Sequence, residues 1–128
     1  MEVGLVIAGL ICIGLALGHA VTGRVLLERL PRDLPPSRFG DGALTRGVIR
    51  FTWHALTLML TSTGAVLIVL AQGQRADDRG PVVAVIVALY AAAGIMQAWV
   101  SRRRPSDLLR TPVWMAFVII IVLCWLSI

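Results

Sequence analysis

The chain has 128 residues, 58% of them hydrophobic, with a mean hydropathy of +0.85 and a formal net charge of +5. That apolar content exceeds the roughly one-half usual in soluble domains, so a water-soluble globule is a poor fit. All twelve basic residues are arginine, and in so apolar a chain they point to cytoplasmic membrane loops rather than to nucleic acid.

Four apolar runs are long enough to cross a hydrocarbon core of about 30 Å at about 1.5 Å per helical residue. They are residues 3–22, 51–71, 81–100 and 112–128. None alternates apolar and polar residues as a barrel strand would. The expected fold is all-α, a single integral-membrane domain over residues 1–128 built as a four-transmembrane-helix bundle. The first run lacks a basic leader, with only Glu2 before it, and is longer than a signal-peptide core of about 7–15 residues, so it reads as a span.

Helix one carries Cys12, Ala16, His19 and Gly23 on one stripe, beside the close-approach pair Gly14-x-x-x-Gly18. The loop over 23–50 follows, with Val25, Leu26, Leu27 and Leu30 among Arg24, Glu28 and Arg29. This spacing predicts a short amphipathic segment at headgroup level, ended by Pro31, Pro35 and Pro36. Asp41 then stands where a helix N-cap belongs, so helix two should begin well before the bilayer core.

Helix two places Arg46, Arg50, His54, Thr57 and Thr61 at intervals of three or four, one stripe of its surface. The loop "QGQRADDRGP" is short, with Gly80-Pro81 opening helix three at a position that proline tolerates. Helix three aligns Tyr90, Ala93, Gly94 and Gln97. The last loop, "SRRRPSDLLRTP", has Pro105 and Pro112 as breakers and Thr111 as a candidate cap for helix four. Cys12 and Cys124 fall at different expected depths, too far apart for a disulfide, and read as small packing residues.

Arginine sets the orientation. Six lie in loop 23–50 and four in 101–111, against only Arg75 and Arg79 on the other side. Positive-inside asymmetry places both large loops in the cytoplasm and both termini outside. Arg24, Arg29, Arg46, Arg102, Arg103 and Arg104 are then the headgroup-facing cations, with anionic lipid as their partner.

Counting residues from the inner boundary puts His19, His54, Gln97 and Trp114 at one depth, roughly 5 Å inside the membrane. Arg50, Thr57, Thr61 and Tyr90 support that layer from the stripes. Polar groups at such depth usually face protein, so the stripes are expected to face one another. His19 and His54 then serve as interhelical hydrogen-bonding residues, with Trp53, Trp99, Trp114 and Trp125 as an aromatic belt. A second reading makes the two histidines the axial ligands of a b-type haem electron carrier. It requires helices one and two to stand well beyond the ordinary 8–10 Å packing distance of helices. A zinc site finds no completing ligand, because no carboxylate lies in a span. A channel or transporter is a third reading, weakened for proton coupling by the same absence.

The pattern His19-x3-Gly23-x2-Leu26-Leu27-Glu28, followed by Arg46-x3-Arg50-x2-Trp53-His54-x2-Thr57, resembles a group of small bacterial four-helix inner-membrane proteins. The resemblance covers roughly residues 15–70. It implies the topology, a bacterial inner-membrane location and a shared design for the histidine pair, and it implies no activity. No nucleophile–base set and no HExxH metalloprotease motif is present, so the expected role is non-enzymatic. An accessory subunit that self-associates or joins a larger membrane complex fits best.

Overall fold

A computed structural model describes residues 2–31, 34–36, 40–73, 76–102, 106 and 113–127. It is all-helical, with four principal helices: α1 (Val3–Glu28), α2 (Gly42–Ala71), α3 (Ala76–Ser101) and α4 (Val113–Trp125). The first three are long and apolar enough to cross a membrane, and α4 is a shorter apolar helix of 13 residues. The candidate cap Thr111, and with it the start of the fourth span at 112, lies outside the described residues, as do Arg103 and Arg104.

The helix ends follow local chemistry. α1 has no proline, so it does not stop at residue 22 but runs unbroken to Glu28. Val25 to Glu28 are therefore its last turn, a direct extension of the first apolar run. Arg24 and Glu28 make an exposed i,i+4 contact at 3.4 Å, and Pro31 soon follows. Asp41 caps α2 as its position suggests: its Oδ1 accepts from the Leu44 amide at 2.8 Å, and its carbonyl accepts from the Thr45 amide. α3 begins five residues before the expected proline, so Pro81 sits inside it. The cost is one missing backbone donor near the start of the helix, where kinking is least severe.

Two compact units can be distinguished, residues 1–12 with 63–128, and residues 13–62. In the first, segments of all four helices bury a common core. Leu5, Ala8 and Cys12 of α1, Leu67 of α2, Val83 of α3, and Ile120 and Cys124 of α4 are fully enclosed. Spacings of three and four put each set on one face of its helix. Gly9 brings α1 against α2 here: a Cβ on it would stand 2.8 Å from the Gly64 carbonyl oxygen. The second unit pairs the remainder of α1 with the first part of α2, joined by the proline-containing loop. Arg46 donates to the Pro31 carbonyl and ties that loop to the helix.

Large apolar side chains also point outward from every helix, including Val21, Phe51, Leu58, Val85, Ile95 and Val118. An apolar exterior of this extent is what lipid tails cover and what water does not tolerate.

Candidate functional site

The polar side chains within the spans gather into three groups, two in the four-helix unit and one in the other. In the unit of residues 13–62, His19 is the centre. Its ring stacks on the indole of Trp53, centroids 4.1 Å apart and planes 13° from parallel. Its Nδ1 lies 2.9 Å from the Thr57 hydroxyl oxygen. Trp53 Nε1 donates to the His19 carbonyl at 2.9 Å, and the Thr57 hydroxyl donates to the Trp53 carbonyl at 3.1 Å. Thr57 has a single hydroxyl proton: given to the Trp53 carbonyl, it leaves the Thr57 oxygen to accept from a His19 Nδ1–H. Gly23 makes room for this arrangement, because a Cβ there would run into the indole of Trp53.

His54 takes no part in it. One residue beyond Trp53, its position is turned about 100° around the helix. It is exposed, lining a shallow apolar recess with Phe51, Ala55, Leu58, Met59 and Ser62. The expected pairing of His19 with His54 is thus corrected: Trp53 and Thr57 are the partners of His19. Trp53 is a half-buried stacking residue. The haem reading does not fit these residues. His19 lies against Trp53 and Thr57, while His54 opens onto a different surface of α2, so the two imidazoles do not flank a common space.

Along the α2 stripe, only Thr57 meets α1 as expected. Arg50 is exposed, and Thr61 is exposed while its hydroxyl bonds back to the Thr57 carbonyl at 2.9 Å. The close approach expected at Gly14 and Gly18 is absent, since a Cβ on either meets nothing within 4 Å. Close contact on α1 falls instead at Gly4, Gly9 and Gly23. Gln97 and Trp114 belong to the four-helix unit, where both are half-buried and engaged.

Tyr90 forms the second group. Its hydroxyl shares a hydrogen bond with Cys12 Sγ at 3.2 Å, and its ring meets Phe117 edge-on at 5.5 Å. Thr63 and Cys124 also adjoin it, so all four helices meet at one buried tyrosine. Within this unit, α1 and α3 meet at Cys12 and Tyr90. Cys12 and Cys124 are both buried free thiols of this unit. Tyr90→Phe should lower thermal stability in detergent by about 1 kcal/mol, the net worth of one buried hydrogen bond, with the helix content unchanged. Unaltered stability would show that the hydroxyl contributes nothing.

The third group escaped sequence reasoning. Arg79, counted there as a loop cation, is 93% buried at the start of α3. Its Nη2 donates to Glu2 Oε1 at 2.9 Å and to the Ser127 carbonyl at 3.0 Å. The Glu2 amide in turn donates to the Ala71 carbonyl at 3.1 Å. One arginine thus gathers the start of α1 and the residues just past α4, while Glu2 reaches the end of α2. The clue in the sequence was Glu2, an acidic residue placed at the same end as Arg79.

Of the other cations, Arg24 is paired with Glu28, and Arg29 is exposed. Arg102 lies over the exposed Trp99 ring, 3.8 Å from its centroid. Among the described residues, no group of three or more His, Cys, Asp or Glu could hold a metal ion. Comparison of the chain with protein-family models, with curated proteins and with solved structures finds no match.

Proposed function

We propose that this is a multi-pass protein of a bacterial inner membrane, with both termini outside the cytoplasm, that acts as a non-enzymatic accessory subunit. It would work by helix–helix association, either with a second copy or within a larger membrane complex. The observation carrying this reading is the outward face of α1. Gly14 and Gly18 leave open space where a side chain would stand, flanked by Leu17, 64% exposed, and Val21, 69% exposed. Small residues four apart on an apolar helix let a partner's backbone approach closely, and van der Waals contact then drives association in lipid. Support comes also from His19, Tyr90 and Arg79, whose hydrogen bonds run to other parts of the fold and so stabilise it.

Native electrophoresis of mildly solubilised membranes tests the reading. A species heavier than the monomer is expected, and Gly14→Ile combined with Gly18→Ile should abolish it while the chain remains in the membrane. A wild type that migrates only as a monomer would refute the proposal, as would an assembly that survives both substitutions.

A further inference from the structure

Resting on the membrane reading above, we infer that the exposed face of α2 holds one anionic phospholipid, its phosphate on Arg50 and His54 and an acyl chain in the recess below. Arg46, Arg50 and His54 follow one another at intervals of four along α2, and this helix contains no acidic residue. Arg46 is occupied by the Pro31 carbonyl. Arg50 and His54 are exposed, and no ion pair among the described residues offsets the Arg50 charge. A guanidinium is a planar fork of donors suited to two phosphate oxygens, and an imidazole one turn deeper adds a third donor.

The recess continues from these groups in the direction of the hydrocarbon. Phe51, Ala55, Leu58, Met59 and Ser62 recur at three- and four-residue steps, a single apolar strip on the same helix. The strip starts beside Arg50 at Phe51 and ends at Ser62, about 12 Å below His54, most of one leaflet's share of a hydrocarbon core of about 30 Å. Cations at one end and an acyl-length apolar strip below them match the two halves of a phospholipid.

A second copy is a poorer occupant. Two chains with the same membrane orientation, joined through this face by a two-fold axis, would set Arg50 against its own counterpart. The glycine face of α1 carries no such charge.

The test uses the full chain in mild detergent, with native mass spectrometry counting bound lipid. Palmitoyl-oleoyl phosphatidylglycerol should bind about tenfold tighter than the corresponding phosphatidylcholine, the discrimination expected of charge-assisted hydrogen bonds. Arg50→Gln with His54→Gln should remove that preference. Leu58→Trp, which fills the recess, should weaken binding of both lipids, and inorganic phosphate should not compete at equal concentration. Equal binding of the two lipids by the wild type would overturn the inference, as would full competition by phosphate. So would a Leu58→Trp variant that loses dimer mass rather than lipid, because it would assign the face to a second copy. A chain that resists carbonate washing of membranes but shows no lipid preference refutes this site alone. A chain released by that wash refutes the membrane reading beneath it.

Discussion

Arg79→Ala should loosen the end of the four-helix unit and lower unfolding stability by about 2–4 kcal/mol, as removal of a buried, multiply bonded cation does. The loss has two parts. The Ser127 carbonyl loses a donor that is buried with it, and the space of the guanidinium is left empty. Glu2 contributes less, because its side chain is 44% exposed and can turn to water or headgroups. Arg79 also carries a cost of its own, a buried Nε without a hydrogen-bond partner among the described residues. Arg79→Met, which keeps the volume and removes that unsatisfied donor, should therefore cost clearly less than Arg79→Ala. Arg102→Ala, at an exposed cation, should stay within about 0.5 kcal/mol. Reversible unfolding in mixed detergent micelles, followed by circular dichroism, measures all three. An alanine variant as stable as the wild type would show that the four termini hold together without this residue.

The contrast between Arg79 and Asp41 illustrates what the sequence makes legible. Asp41 acts on amides three and four residues away, so its role as a cap is written in local spacing. Arg79 acts on Glu2 and Ser127, 77 and 48 positions away, and local context made it one more loop arginine. Helix existence was legible for the same local reason, since long apolar runs without breakers have few alternatives in lipid.

Rotation of each helix was not legible. An amphipathic helix announces its buried face by polarity, whereas a membrane helix is apolar on nearly every side. Counting residues from an interface gives depth, and depth correctly put His19 near the level of residues 53–57 of α2. It could not say whether position 53 or 54 faced α1, although the two differ by about 100°. The same ambiguity misplaced the glycines: Gly14 and Gly18 form the familiar motif, yet Gly23 is the one that admits a neighbouring ring. Contact with Trp53 depends on the loop that returns the chain, and nothing in either helix alone reports it.

That dependence gives the second large effect. Gly23→Val should destabilise the hairpin of residues 13–62 by about 1–3 kcal/mol, the range for forcing side-chain atoms into a filled site. Trp53 has to leave the His19 ring, so its fluorescence should shift, and the imidazole nitrogen chemical shifts should change as the contact with Thr57 is disturbed. Gly47→Val introduces the same side chain on a helix where a Cβ meets nothing within 4 Å, and it should leave both signals unchanged. Trp53→Leu combined with Gly23→Val should cost less than the sum of the two single changes, because the smaller side chain removes the clash and contacting residues couple in this way. If Gly23→Val and Gly47→Val proved equally mild, with the Trp53 signal unmoved, the indole would not occupy the space beside Gly23 and the His19 arrangement would be wrong.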